Sequence, residues 1–187
     1  MRKPTGRVLI VGVATLVAAV GSGASAAPGD AAGVVAVFEG NKLDLAQSWG
    51  EAEACFVWQE QGVEQCFRTE AEMDETIARL DAVAGSIEPR NRDVLASTCS
   101  GYLRLYDATS YGSPVLYLRD QYRWLNLANY GFNQKVSSFK VGPCAADFAD
   151  YANGGGSWYP WYMTEAYDQS STMISGWDND VSSVYIN

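Results

Sequence analysis

Apolar and polar positions alternate over most of the chain from residue 34 to its end, and one stretch departs from this with helical spacing. Residues 34–38 are β-rich, Glu39-Gly40-Asn41 is turn-like, and 42–46 can return as a partner strand. Segments 54–58 and 63–67 flank Gln59 to Gly62 and read as a second hairpin, with Cys55 and Cys66 nearly opposite each other. Thr69-Glu70-Ala71-Glu72 follows as a capping box, in which a hydroxyl and a carboxylate satisfy free backbone donors. Met73, Ile77, Leu80 and Ala84 then recur at helical spacing, which predicts a helix over about 69–84 with Gly85 as its stop. Met73 reads as core, and Glu72, Asp74 and Glu75 as a solvated face.

Beyond Val94 the strand pattern returns. Segments 102–106 and 115–118 read as strands around a turn holding Gly112 and Pro114, and 125–128 and 136–141 follow. One unit occurs twice. Gly131-Phe132-Asn133-Gln134-Lys135-Val136-Ser137-Ser138 is echoed by Gly176-Trp177-Asp178-Asn179-Asp180-Val181-Ser182-Ser183. Each copy has a glycine, an aromatic, a polar triplet, a valine and two serines before a tail of period 2. Each is a turn feeding a half-buried strand, and the repetition implies two supersecondary units sharing a core. The second unit runs over about 145–186 and contains Gly154-Gly155-Gly156 before Ser157-Trp158-Tyr159-Pro160-Trp161-Tyr162. The fold class expected is mainly β: a sandwich preceded by a small α+β module with one helix.

Composition adds a compartment. Arg2, Lys3 and Arg7 precede an apolar run over 8–20, and Ala24-Ser25-Ala26 offers a small-residue cleavage site, so 1–26 reads as a signal peptide. The run is too short for a membrane anchor and no stop-transfer charges follow it. The expected product is secreted and extracellular, with no membrane attachment after cleavage. Its organisation reads as a module over 27–85, a linker over 86–93 holding Pro89, and a β domain over 94–187. The net charge of −9 becomes more negative once the three leader cations are removed, which argues against nucleic acid as a partner.

Cysteine and histidine usage narrows the chemistry. Cys55, Cys66, Cys99 and Cys144 all lie in the exported part, an even count that reads as two disulfides. Three pairings are possible, and Cys55–Cys66 with Cys99–Cys144 is favoured. The chain has no histidine and no Cys-x-x-Cys pair, so a zinc site is a poor reading. Absent histidine also removes Ser-His-Asp and Cys-His nucleophiles and His-ligated metalloenzymes. A carboxylate pair such as Glu165 and Asp168 remains a weak hydrolytic alternative. The chain reads as a non-enzyme.

Over roughly residues 99–187 these motifs resemble the βγ-crystallin superfamily. Its calcium signature is two Asn/Asp, two free positions, Ser/Thr, then Ser, which Asp178, Asn179, Ser182 and Ser183 satisfy. In the upstream copy Gln134 replaces the second Asn/Asp, and Lys135 adds a positive charge beside it. The family's second mark is an aromatic, four residues, an aromatic, one residue and glycine. Tyr106 and Tyr111 match it, with Ser113 in the glycine position and Gly112 adjacent, whereas Tyr151 is followed by a longer glycine loop that does not. The resemblance implies two Greek keys packed as a sandwich, with calcium sites shared between them. It assigns Asp178, Asn179 and Ser182 to one site with the turn near Asp107, and Asn133, Gln134 and Ser137 to a weaker one.

The chemistry of the second copy also stands by itself. Calcium takes six to eight hard oxygens, and Asp178, Asn179, Asp180 and Ser182 offer four side chains carrying them in one loop. No glutamate closes the run as a bidentate ligand, so the expected affinity is modest, on the order of 10⁻⁴ to 10⁻³ M. The plainer reading is an ordinary turn whose serine hydroxyls bond local backbone. Two other functions compete. A secreted bacterial metalloproteinase-inhibitor family is built on the same domain, and this chain resembles it in fold, cysteine count and export; Cys99 and Cys144 would staple a rigid loop for a peptidase. The crowded Trp158, Tyr159, Trp161 and Tyr162 could instead form a platform for a cell-wall glycan, although strand alternation would send half of them inward.

Overall fold

A computed structural model describes residues 33–87 and 101–187. Residues 1–26, read as a signal peptide, most of the expected linker and Cys99 lie outside the described residues. The strands are β1 (Val35–Phe38), β2 (Asn41–Asp44), β3 (Ala54–Trp58), β4 (Val63–Phe67), β5 (Leu103–Ala108), β6 (Gly112–Leu118), β7 (Trp124–Asn126), β8 (Ser138–Val141), β9 (Ala146–Ala149), β10 (Gln169–Ser170) and β11 (Ser183–Ile186), with helix α1 at Glu70–Ile87. One sheet has the order β10-β8-β5-β6-β3-β4-β1-β2 and the other β7-β11-β9. No helix among the described residues is long and apolar enough to cross a membrane.

The strand order explains how the two repeats share a core. Strands β5 to β8 belong to the first repeat, and β9, a bridge at Trp158, β10 and β11 to the second. Each repeat sends its third strand to the other: β7 pairs with β11, and β10 pairs with β8. This exchange makes two interlocked Greek keys, packed as a sandwich. Alternate residues fill the space between the sheets. Leu103, Leu105, Leu116, Leu118, Phe139 and Val141 meet Leu125, Ala146, Phe148, Val184 and Ile186 in one buried cluster. Phe139, Phe148 and Tyr159 make mutual ring contacts at its centre.

The N-terminal segments continue the larger sheet. The β3–β4 hairpin sets Cys55 opposite Cys66, and the two are bonded. Strand β3 then runs parallel to β6, with Cys55 paired to Leu116. Being central, β3 is buried on both faces: Cys55 and Val57 join the inter-sheet core, and Ala54 and Phe56 meet the helix. Asp120, fully buried, fastens the turn after β3 to the end of β6. Its carboxylate accepts from the Gln59 and Glu60 amides at 3.2 and 2.9 Å and from Arg123 at 2.7 Å.

Helix α1 covers the opposite face of this sheet through Met73 and Ile77, against Phe56, Phe67, Tyr106 and Tyr117. Its capping box forms largely as expected: Thr69 Oγ1 accepts from the Glu72 amide at 3.2 Å, while Glu72 reaches back to the Arg68 amide at 3.1 Å. Ion pairs from Arg104 to Glu70 and Asp74, and from Arg119 to Asp81, hold its rim at 2.7 Å each. Gly85 does not stop the helix, which runs on to Ile87. A glycine inside a helix costs only about 1 kcal/mol, so it weakens the helix without breaking it.

Candidate functional site

The repeated loops meet each other at one end of the sandwich. Gln134 and Asn179 occupy equivalent positions and share the left-handed backbone, with φ of 55° and 58°. The Gln134 amide donates to the Val181 carbonyl at 2.9 Å, and the Asn179 amide to the Val136 carbonyl at 3.1 Å. This reciprocal pair is the backbone signature of the twofold relation. Only one side-chain contact crosses it among the described hydrogen bonds: the Ser137 hydroxyl donates to Asn179 Oδ1 at 3.3 Å.

The second serine of each copy does structural work. Buried Ser138 donates to the Ala108 carbonyl at 2.7 Å and accepts from the Tyr111 amide at 3.1 Å. Buried Ser183 does the same for the other hairpin, donating to the Tyr151 carbonyl at 2.6 Å and accepting from the Gly154 amide at 2.9 Å. Both hairpins are therefore folded alike. Each contains a short 3-10 turn whose central residue, Ser110 or Asn153, has φ of 58° or 55°. The second repeat thus keeps the hairpin conformation without the aromatic motif that marks it in the first. Gly154 stands where the first hairpin has Tyr111, and a Cβ there would lie 2.2 Å from the ring of Trp124. An aromatic from another strand occupies that place, so a pattern of consecutive residues cannot detect it.

The first serines and the hairpins define two oxygen clusters. The Ser137 amide donates to the Tyr106 carbonyl at 2.8 Å, so Asp107 follows directly on the residue to which Ser137 is bonded. This group holds Asn179 and Ser137 in contact, with Asp107 next along the neighbouring strand. In the other, the Ser182 amide donates to the Ala149 carbonyl at 2.8 Å, so Asp150 follows on the residue to which Ser182 is bonded, and Gln134 is bonded to Val181. Ser137 rather than Ser182 is thus the serine in contact with Asn179, because each serine continues its own strand to the opposite side of the pseudo-twofold. Asp178 is exposed and Asp180 half-buried in the turn before them. Asn133 and Lys135 line a cleft of about 700 Å³ against Leu45, Trp49 and Gly50.

The clusters differ in what they leave unspent. Asp150 Oδ1 is committed to the Ser157 amide at 2.7 Å. Among the described hydrogen bonds and ion pairs, Asp107 has no such side-chain partner. Among the described residues no three His, Cys, Asp or Glu side chains converge as a metal cluster, so any cation here would rest on amide, hydroxyl and carbonyl oxygens with at most one or two carboxylates. That donor set fits calcium weakly and zinc not at all.

The remaining expectations resolve as follows. Cys144 is disulfide-bonded, and its expected partner Cys99 lies outside the described residues. Asp168 Oδ2 accepts from the Glu165 amide at 2.7 Å and caps that turn. Of the crowded aromatics only Tyr159 is buried; Trp158, Trp161 and Tyr162 are 54%, 70% and 64% exposed. Strand alternation fails there because residues Trp161–Met163 form a 3-10 turn.

Comparison with known proteins gives matches in structure alone. No family model matches the sequence, and no curated protein matches it. Among solved structures, a βγ-crystallin from Ciona intestinalis is 23% identical, with a TM-score of 0.39, covering 46% of this chain and 100% of that one. A βγ-crystallin from an archaeon is 23% identical at a TM-score of 0.38, covering 48% of this chain and 100% of that one. A βγ-crystallin domain from Flavobacterium johnsoniae is 20% identical at 0.36, covering 46% and 92%.

Proposed function

We propose that the protein is a secreted, non-catalytic βγ-crystallin-like protein that binds calcium with modest affinity at the cluster of Asn179, Ser137 and Asp107. The observation that carries this reading is the contact between Asn179 Oδ1 and the Ser137 hydroxyl, two oxygens from different repeats at 3.3 Å. Both residues have their backbone amides bonded elsewhere, and among the described hydrogen bonds their side chains are bonded to each other, which leaves those oxygens able to face a cation. Asp107 supplies the negative charge that an amide and a hydroxyl lack. Bound calcium would contribute charge neutralisation and would tie the two repeats together. Gln134, Ser182 and Asp150 form the poorer counterpart. Its carboxylate is spent on Ser157, and Gln134 adds a methylene to the reach of its amide.

The leader read from the sequence and the Cys55–Cys66 bond support an extracellular setting, where calcium is abundant. The rigid loop of the peptidase-inhibitor alternative would be stapled by Cys99, which lies outside the described residues. Thermal melts in EDTA and in about 10 mM calcium test the proposal. With a dissociation constant on the order of 10⁻⁴ to 10⁻³ M, that concentration contributes about 1.4 to 2.7 kcal/mol. The corresponding rise in Tm is about 3 to 10 °C for a protein of this size. Asn179→Ala should abolish the rise and Gln134→Ala should keep most of it. No rise in the parent protein would end the proposal, and a rise unaffected by Asn179→Ala would move the ion elsewhere.

A further inference from the structure

The outer face of the three-stranded sheet carries an aromatic strip that the calcium reading does not use. Leu125, Val184, Ile186, Ala146 and Phe148 point into the core, so their neighbours Trp124, Tyr185 and Asp147 point out. The register places them in one row, with Tyr185 opposite Trp124 on one side and Asp147 on the other. Trp124 contacts Tyr185 at 5.6 Å and Trp158 at 5.1 Å between ring centroids. Trp161 and Tyr162 lie three and four residues along the chain from Trp158, and so within about 11 and 14 Å of it by the reach of the backbone. They contact each other at 6.1 Å and are more exposed than Trp158.

These rings are held before any ligand arrives. Trp158 Nε1 donates to the Gly154 carbonyl at 2.8 Å, and the Trp124 ring lies directly against Gly154, which has no Cβ to displace it. The turn bearing Trp161 and Tyr162 is anchored by buried Thr164, whose carbonyl accepts from the Ala146 amide at 2.9 Å. Fixed aromatics lose little conformational entropy on binding, which raises affinity for a ligand that fits them. Contiguous exposed aromatics of this kind mark interaction sites more often than chance packing.

The chemistry around the strip selects the ligand. Its polar neighbours are acceptors and amides: Asp147, Asp150, Asn126, Asn153 and Asn187. The nearest guanidinium in sequence, on Arg123, is turned away onto Asp120 and Gln59 at 2.7 and 2.9 Å. With a net charge of −9 on the chain, nucleic acid, anionic lipid and phosphate-rich polymers are repelled. A quaternary ammonium ligand needs a gap enclosed between rings, whereas Trp124 touches Trp158 edge to face and Tyr185 at a tilt, with ring against ring rather than around a gap. A pyranose fits both features. Its C–H face lies on indole or phenol rings, and its hydroxyls donate to a carboxylate and exchange hydrogen bonds with amides. We propose that Trp158, Trp161 and Tyr162, with Trp124, Tyr185 and Asp147, form a binding face for a neutral glycan.

Depletion from solution by insoluble chitin and cellulose, run in EDTA so that calcium plays no part, tests this directly. Calorimetry with soluble chito- and cello-oligosaccharides identifies which sugar is recognised and whether short chains suffice. Trp161→Ala alters a side chain that is largely in water, so it leaves the fold intact and should weaken binding at least tenfold. Trp158→Ala should do the same, with melting curves as the control for folding, and Asp147→Asn should weaken binding several-fold with no change in Tm. Retention on neither polymer with no calorimetric heat would overturn the proposal, as would binding unchanged in Trp161→Ala. Binding displaced by choline but not by sugar, or seen only with anionic vesicles, would also overturn it and assign the strip to that ligand.

Discussion

Adjacent serines with different duties provide a sharp test of the site geometry. Ser138 is fully buried and makes two short hydrogen bonds, to the Ala108 carbonyl and from the Tyr111 amide. Ser138→Ala removes both and leaves the Ala108 carbonyl and the Tyr111 amide without that partner. Each lost bond costs about 0.5 to 1.5 kcal/mol, so the two together cost about 1 to 3 kcal/mol. For a chain of this length that lowers Tm by about 2 to 12 °C. Ser137 makes one long hydroxyl contact of 3.3 Å, so Ser137→Ala should cost about 0.5 kcal/mol or less. Calcium should reverse the ranking. Ser138→Ala keeps the oxygens of the cluster and should show the parent's calcium-induced rise in Tm, while Ser137→Ala should lose most of it. Thermal melts of both variants, with and without calcium, give the four numbers required. The reasoning fails if Ser137→Ala is the more destabilising of the two in EDTA, or if it responds to calcium as the parent does.

Two further predictions follow from buried groups away from that site. Asp120→Ala strands the Gln59 and Glu60 amides; because Arg123 is half in water its share is screened, and the loss should be about 3 kcal/mol, read from the urea midpoint. A loss under about 1 kcal/mol would show that the β3–β4 turn is not fastened through this carboxylate. Burial, with a smaller contribution from the Asp120 charge, pushes the Tyr130 phenol up to about 12, and burial likewise raises Tyr106 and Tyr117. Unfolded phenols ionise near 10, so between these values the unfolded chain releases protons first. The stability from these groups is intact below about pH 10 and falls as pH rises, by about 2 kcal/mol for Tyr130 alone at about pH 12. A last fraction of the phenolate absorbance that rises only together with loss of near-ultraviolet dichroism would bear this out, and ionisation of every phenol, buried ones included, in a still-folded protein below about pH 11 would contradict it.

Local features were legible in the sequence, and crossings were not. The Cys55–Cys66 hairpin, the capping box at Thr69 and the period-2 tail ending in Val184 and Ile186 each depend on neighbours within a few residues. By contrast, β7 and β10 are only three and two residues long, and what defines them is a partner in the other repeat. Short strands carry too little periodicity to announce themselves, so the exchange that interlocks the sandwich has no local signal. The same holds for the site. The repeat pointed to Asn179 and Ser137 as members of separate loops, but their contact follows from the pseudo-twofold axis, which no single loop encodes. Trp161 and Tyr162 escaped strand alternation because the chain turns there, and Pro160 was the available hint of it.

The inequality of the two repeats has a physical cause in the N-terminal segments. Gly131 and Gly176 are equivalent, both with positive φ, yet their surroundings differ. A Cβ on Gly131 would lie 2.2 Å from the Leu45 carbonyl, while nothing lies within 4 Å of one on Gly176. Around Gly131, Trp49 donates to the Tyr130 carbonyl at 2.7 Å and contacts the Phe132 ring at 5.5 Å, and the Val34 amide donates to the Asn129 carbonyl at 2.8 Å. The first loop is thus a docking surface for segments 33–52, and its Asn133 and Lys135 line the resulting cleft. A cation beside Lys135 would be repelled, and a lysine at the position of Asp180 would face water with no such cleft to line. The second loop, free of that contact, can keep Asp178, Asn179 and Asp180 as a run of oxygen donors. Because Asn179 comes from the open loop and Ser137 from the docked one, an ion held between them would couple the N-terminal segments to the far repeat. On that reasoning Trp49→Ala, which loosens the docked loop, should weaken the calcium-induced rise in Tm without touching a ligand, and an unchanged rise would show the two loops to be independent.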